Sequence, residues 1–253
     1  MSDRSSGGST ERLQFDLIVV GSGIAGLTAA ITAAERGLAV AVISKEEALR
    51  DTNTRWAQGG IVGRGERDSP ELLVQDIMEA GDQMNSIDAV RLLASEGPAL
   101  VDRFLAEKVK VPFSRDPGGA IDLTMEAAHS VRRIYHAMDH TGDAIETALL
   151  GYFAGVRGIT AFTGHTAIDL ITNTHNSTDP QEKYRQTRVV GVYVLENATG
   201  AVRMFLAPAV VLATGGVGNL FLHTSNPVGA TGDGVAMAHR VGAEVINAEY
   251  IQF

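Results

Sequence analysis

Gly21, Gly23 and Gly26 stand in a G-x-G-x-x-G pattern within "GSGIAGL". The first glycine permits a sharp turn and the second lets backbone approach a pyrophosphate. The third lets a helix pack closely on a strand, and the helix N-terminus faces the anion. Alone the pattern is weak. Here the β-rich run "FDLIVV", Phe15 to Val20, enters it and the Ala- and Leu-rich "AGLTAAITAAERG" leaves it, so strand and helix flank the turn as a dinucleotide site requires. The acidic residue that would hold an adenosine ribose at the end of the next strand is absent. Ser44 and Lys45 stand there, with Glu46 and Glu47 behind. Lys45 can reach ribose or phosphate oxygens by hydrogen bonding, or is a solvated strand end. A second loop follows, "TNTRWAQGG", Thr52 to Gly60. Gly59 and Gly60 permit close approach to a flat ring, while Asn53, Thr54 and Gln58 offer donors and acceptors to its edge. A flavin needs such a second grip and a nicotinamide does not. The competing reading is a Gly-Gly hinge with Trp56 as a core anchor.

The elements that must position these residues follow from periodicity. "FDLIVV", the Ala-rich helix closed by Gly37 and "LAVAVISK" form a strand–helix–strand unit with parallel strands. From Ser69 to Glu107 apolar residues recur at three and four, which predicts two amphipathic helices. "VPFSRDPGGAIDLT" predicts a hairpin. "TGDAIETALLGYFAG" predicts a helix capped near Thr141 with an acidic first turn. Ile159 to Leu212 is mostly strand, interrupted by a polar surface loop, and "AVVLATGG" reads as a core strand apolar on both faces. A short helix is expected in "DGVAMAHRVGA".

The chain has 253 residues, 45% of them hydrophobic, enough for one large domain or two small ones. Thirty acidic against 21 basic side chains, a formal charge of −9, argue against nucleic acid or an anionic membrane as partner. No cysteine is present, which excludes disulfides, thiolate metal sites and cysteine nucleophiles. The N-terminus is polar and without a signal-peptide core, and no apolar run approaches the roughly 20 residues that span a bilayer. A cytoplasmic protein is the expectation, with the sequons at Asn176 and Asn197 occurring by chance.

"GSGIAGL", "SK", "NTRWAQGG", "EAAHSVRRIYHAMDHTG", "VVLATGGVGNLFLHTSNPVGATGDGVAMAHRVGAEV" and "EYIQF" occur in the order seen in the L-aspartate oxidases. From Phe15 onward the chain resembles that family, part of the larger group of succinate dehydrogenase and fumarate reductase flavoproteins. The long block ending in "EYIQF" is the most specific part of the likeness. The resemblance implies an α/β fold: a Rossmann-like FAD-binding domain with a parallel core sheet and an antiparallel β-meander. Residues 1–14 would be a disordered tail and residues 15–253 the incomplete FAD-binding domain. It implies an enzyme that takes hydride from L-aspartate to give iminoaspartate, passes the electrons to oxygen or fumarate, and hands its product to quinolinate synthase for NAD synthesis.

Carried over position by position, Ser22, Gly23, Ile24 and Ala25 with Lys45 would hold the ADP half. The stretch Thr52 to Gly60, including Arg55 and Ala57, would hold the pyrophosphate and flavin ring. Ala167 would lie by the adenine. Thr214 and Gly215 of "LATGG" and Asp233 of "TGDG" would contact the cofactor. Glu126 would orient the substrate's amino group. Asn53 replaces a histidine that bonds covalently to flavin in the respiratory enzymes, so FAD would be held noncovalently. The family's two glycines after the glutamate are Ala127 and Ala128 here, and two methyl groups would narrow that turn. Gaps of seven and four set His129, His136 and His140 on one face of a helix. That spacing is compatible with a metal site, but no carboxylate or cysteine completes a ligand set and none is expected. The family continues past "EYIQF" with a substrate-binding histidine, the proton-transferring arginine, a mobile cap and a glycine-rich segment. By itself this chain is therefore expected to be a truncated FAD-binding part with little or no oxidase activity.

Overall fold

Two apolar tetrads, "LIVV" and "VAVI", have no polar face to turn to water, so each can only lie between other layers. The computed structural model describes residues 12–175 and 177–251, and in it these tetrads are adjacent parallel strands. In chain order the elements are β1 (Arg12–Gln14), β2 (Leu17–Val20), α1 (Ile24–Ala34), β3 (Val40–Ile43) and the single turn α2 (Asn53–Trp56). β4 (Ile61–Val62), α3 (Pro70–Ala80), α4 (Ile87–Leu100), β5 (Leu123–Thr124), β6 (Ile134–Tyr135) and α5 (Thr141–Phe153) follow. Then come β7 (Ile159–Phe162), β8 (His165–Thr172), β9 (Val189–Glu196), β10 (Val202–Leu206), β11 (Ala209–Leu212) and α6 (Asp233–Arg240).

Where one domain from residue 15 is the expectation, the chain folds as two compact units. Met1–Asn53 with Gly155–Phe253 forms the first and Thr54–Ala154 the second. The first holds a parallel sheet in the order β11-β2-β3-β7 and a second sheet in the order β1-β10-β9-β8. β8, β9 and β10 form the expected antiparallel meander, and the α/β class holds. Residues 12–14, expected in a disordered tail, instead add β1 parallel to β10. The rest of that tail and Asn176 lie outside the described residues.

Ile18, Val20, Ala41 and Ile43 from the parallel sheet meet Leu170, Val192, Val194 and Phe205 from the meander in one core, with Met237 of α6. Burying a side chain such as Ile18 completely is worth about 1.5–3 kcal/mol. Phe205 stacks with Phe15 at 5.9 Å and meets Phe162 edge-on at 4.8 Å. Beyond α1 the chain turns at Gly37, whose positive φ of 86° lets the Leu38 amide return to the Ala33 carbonyl. β11 departs from expectation. It is the edge of its sheet and none of its residues is fully buried, although Val210 and Leu212 pack against the core.

In the second unit Ser69 caps α3, its Oγ accepting the Leu72 amide at 3.1 Å, with Pro70 opening the helix. α4 contains Pro98, which has no N–H to give the ladder, and beyond Leu100 the chain runs on as wider π-type turns over Val101–Val109. The hairpin at "DPGG" is short, closed by a bridge between Arg115 and Ile121. Thr141 does not cap α5. It is the first helical residue, and its Oγ1 accepts the Ala137 amide at 3.0 Å, while Asp143 supplies the acidic first turn. No helix among the described residues is long and apolar enough to cross a membrane.

Candidate functional site

Glycine-bearing turns gather at the C-terminal ends of the parallel strands in the first unit, where open α/β sheets bind ligands. Gly21 has φ of 109°, and a Cβ there would run into the carbonyl of Ala213, the residue after β11. A Cβ on Gly26 would overlap the Gly21 carbonyl, so α1 can lie this close to β2 only without one. Gly23 caps α1 and, as a glycine, brings no side chain to its first-turn amides. The Ser22 hydroxyl donates to the Leu49 carbonyl at 2.7 Å, which leaves its backbone amide as donor and its Oγ as acceptor for a cofactor. Past β11, Thr214 Oγ1 sits against Gly234 in the first turn of α6, where a Cβ could not fit, and Gly215 takes φ of 73°.

Lys45 and Asp233, each expected to touch the cofactor, touch each other. Lys45 Nζ lies 2.6 Å from Asp233 Oδ2 and donates to Thr231 Oγ1 at 2.6 Å, and the Thr231 hydroxyl donates to Asp233 Oδ1 at 2.9 Å. Burial opposes charge on Asp233, but the hydrogen bonds from Lys45 and Thr231 and the Lys45 charge outweigh it and hold the carboxyl below its usual range. Lys45 is therefore no loose strand end. Its bonds tie β3 to α6. Ala167 is buried in the core between the sheets, so only its backbone is on offer, where the β8–β9 register breaks between Ala167 and Asp169.

The polar end of "TNTRWAQGG" belongs to this unit too. Asn53 Nδ2 donates to Asn226 Oδ1 at 3.1 Å, and Asn226 Nδ2 donates to Thr224 Oγ1 at 3.0 Å. Thr52 Oγ1 and Asn53 Oδ1 are buried without a hydrogen-bond partner, which is costly unless a ligand supplies donors or acceptors. Sequence reasoning named Asn53 but missed Asn226 and Thr224. The signal was the "TSNP" turn inside the most family-specific block.

In the second unit the rest of the loop is tied to neighbouring backbone while most of its residues stay exposed. The Gly142 amide donates to the Ala57 carbonyl at 2.9 Å, and a Cβ on Gly142 would strike the Thr54 carbonyl. Arg55 Nε lies 3.3 Å from Asp143 Oδ1, and its guanidinium covers the Trp56 ring at 5.6 Å. Trp56 is 59% exposed, so it anchors no core. A Cβ on Gly60 would collide with the Ile134 side chain, so packing on β6 requires that glycine irrespective of any flat ring. Gln58 and Gly59 are exposed.

Glu126 accepts the Gly60 amide on Oε1 at 3.0 Å. Ala127 and Ala128 are both exposed. The cost appears in the backbone, where Ala128 sits at φ of 64°. Ala128→Gly is expected to stabilise the unit by about 0.5–1 kcal/mol, read as a higher urea midpoint with unchanged slope. A lower midpoint would overturn the strain assignment.

Arg133 carries the segment after Glu126. It is fully buried, with Nη2 2.9 Å from Asp68 Oδ1 and Nη1 2.6 Å from Asp76 Oδ2. Asp76 Oδ2 also accepts the Ser130 amide and hydroxyl, each at 3.0 Å. Burial resists ionisation of Asp76, but the Ser130 amide, the Arg133 and Ser130 side-chain bonds and the Arg133 charge together hold its carboxyl below the usual value. A depressed carboxylate stabilises fully above its unfolded pKa of about 4 and loses that contribution as pH falls through the lower folded value. Asp76→Asn should thus be less stable at pH 7 and lose less of its remaining stability between pH 5 and pH 3. Urea titrations at the three pH values check this, and an unchanged acid limb would contradict it.

The three histidines do not share a helix. His129 lies in a turn, His136 follows β6 and His140 precedes α5. His129 Nδ1 is 3.2 Å from Arg133 Nη1, and His136 Nε2 is 3.4 Å from Asp122 Oδ2. No group of three or more His, Cys, Asp or Glu among the described residues is arranged to hold a metal.

Residues 16–253 match the family described as FAD binding domain. The chain is 42% identical over 244 residues to the L-aspartate oxidase of Streptomyces coelicolor, covering 94% of this chain and 39% of that protein. It is 41% identical to L-aspartate oxidase 1 of Ralstonia nicotianae, covering 95% and 44%. The chain thus spans about two fifths of the length of the curated relatives it matches. Among solved structures, an E. coli quinol fumarate reductase FrdA variant superposes with a TM-score of 0.81 at 29% identity, covering 90% of this chain and 37% of that one. The Mycobacterium smegmatis Sdh1 complex in the apo form gives 0.79 at 31%, covering 92% and 39%. The glycine turns and orphaned oxygens of the first unit suit the cofactor that such a family binds, and this chain belongs to the FAD-binding domain family of the succinate dehydrogenase and fumarate reductase flavoproteins, with the L-aspartate oxidases among its relatives.

Proposed function

We propose that this chain is the FAD-binding part of an L-aspartate oxidase that feeds iminoaspartate to quinolinate formation for NAD synthesis. The observation that carries the cofactor assignment is the convergence, in the first unit, of Gly21 to Gly26, Thr214 and Gly215, and Gly232 with Asp233 at one end of the parallel sheet, beside the orphaned oxygens of Thr52 and Asn53. L-Aspartate as substrate rests on the likeness to the L-aspartate oxidases named above.

Bound FAD would supply the acceptor for hydride from the substrate's α-carbon, with oxygen or fumarate as the final electron acceptor. The chain's own residues then have limited, separate tasks. Backbone amides of Ser22 to Gly26 meet the pyrophosphate at the α1 N-terminus. Asp233, kept ionised by Lys45 and Thr231, accepts from a hydroxyl of the ADP half. Asn53 contributes an amide and no nucleophilic ring nitrogen, so the flavin is held noncovalently. Glu126, its Oε1 occupied by the Gly60 amide, keeps a carboxylate for the substrate's amino group.

The test uses the full-length gene product. Absorbance near about 450 nm, flavin released into the supernatant on acid precipitation, and peroxide formed on adding L-aspartate are expected together. Flavin that stays with the precipitate would overturn noncovalent binding. A second reading, a fumarate reductase acting on another dicarboxylate, is favoured by the superposition at a TM-score of 0.81. Fumarate-dependent reoxidation without any aspartate-dependent reduction would select it.

A further inference from the structure

Asn53 has an amide whose two ends differ in what they meet. Its Nδ2 is given to Asn226 Oδ1 at 3.1 Å, whereas its Oδ1 is buried and accepts nothing. An amide can rotate by half a turn and exchange the two ends at little steric cost, so something must hold this one. Asn226 does so with its own amide bonded in turn. Its Nδ2 and its backbone N–H both donate to Thr224 Oγ1, at 3.0 and 3.1 Å, which leaves Asn226 Oδ1 as the face turned to Asn53. The seat is sterically prepared. A Cβ on buried Gly218 would press on both the Asn226 amide and the Thr224 hydroxyl. Gly215 also runs near the Asn53 amide, where an added Cβ would stand 3.7 Å from Nδ2.

We propose that Asn226, backed by Thr224, is a positioning residue that locks the Asn53 amide with its oxygen presented as an acceptor for an N–H or O–H group of bound FAD. The inference rests on the FAD reading above. Thr224, Asn226 and Asn53 form a three-residue relay running one way in the structure: hydroxyl oxygen accepts from amide, amide oxygen accepts from amide, and the last oxygen is left for the ligand. The neighbouring Thr52 Oγ1, also buried and unpartnered, lies at the same point of the chain. A partner for both is what a polar ligand brings and what packing alone does not.

The test is a double-mutant cycle in the full-length gene product, read as FAD affinity by fluorescence titration of the apoprotein and as the visible spectrum of the bound flavin. In the Asn53 background, Asn226→Ala is expected to weaken FAD about tenfold or more and to shift the spectrum, because the amide is free to turn its nitrogen to the ligand. Asn53→Asp presents an oxygen in either orientation. In that background Asn226→Ala is therefore expected to change affinity by less than about threefold. A purely structural role would weaken binding equally in both backgrounds and would overturn the proposal. Thr224→Val, nearly isosteric, is the second variant should Asn226→Ala not fold, with a weakening of several-fold expected. Wild-type affinity in both Asn226→Ala and Thr224→Val would also overturn it while leaving the FAD reading intact. Failure of the unmutated protein to bind FAD would remove both.

Discussion

Replacing Arg133 by methionine is expected to destabilise the second unit by about 3–5 kcal/mol, the usual cost of leaving buried charge without its partner. Asp68 and Asp76 both face this one guanidinium, at 2.9 and 2.6 Å, with side chains at most 8% exposed. Neither carboxylate could return to water without unpacking α3 or the loop before it. Without Arg133, the burial that already opposes charge on Asp76 is less opposed, which shifts the acid limb of stability upward in pH. The loss is therefore expected to be larger at pH 7 than at pH 5, and urea unfolding at both values measures it. Combining Arg133→Met with Asp68→Asn and Asp76→Asn should recover part of the loss, because the penalty belongs to the orphaned charges rather than to the absence of an ion pair. A loss below about 1 kcal/mol in the single variant would mean that water reaches the triad. The triad also pins Ser130, four residues beyond Glu126, so the Arg133 variant should loosen the turn that presents that carboxylate.

Gly26→Ala is expected to remove FAD uptake at concentrations that saturate the unmutated protein. The added methyl would fall on the Gly21 carbonyl, with Val19 Cγ1 3.4 Å away on the other side. Neither neighbour can give. One is backbone in the turn itself and the other is a fully buried strand residue. α1 must lift from β2, at a cost of about 1–3 kcal/mol in stability, and its first-turn amides then leave the positions that a pyrophosphate needs. An affinity loss of about tenfold or more is the expected reading. Gly151→Ala in α5 offers the contrast. A Cβ there meets nothing within 4 Å and the residue is helical, so a gain of up to about 1 kcal/mol is expected. Normal FAD affinity in Gly26→Ala would show that the turn does not carry the phosphates.

Much of this was already written in local sequence. "FDLIVV", the glycine turn, the Ala-rich helix and "LAVAVISK" each state their own conformation through burial on both faces, absence of a Cβ, and helix propensity. Their order then leaves few topologies other than adjacent parallel strands. The meander, α3, α4 and α6 were legible for the same reason. Local signals failed where a residue's conformation depends on distant atoms. Arg12–Gln14 looks like tail and becomes β1 because β10 has an unpaired edge beside it. The spacing of His129, His136 and His140 mimics a helix, yet the segment is held by Asp76, Arg133 and the β6 ladder in an extended, turning path.

For the site, residue types alone pointed to a dinucleotide at Gly21, Gly23 and Gly26, since the requirement there is for missing atoms and a glycine states that at once. Side-chain roles were decided only by the tertiary structure. Lys45 and Asp233, 188 positions apart, neutralise each other. The Ser22 hydroxyl donates to Leu49, and Asn53 is oriented by an asparagine 173 positions away. A hydrogen bond depends on which partner lies within about 3 Å, and that distance exists only after the chain has folded.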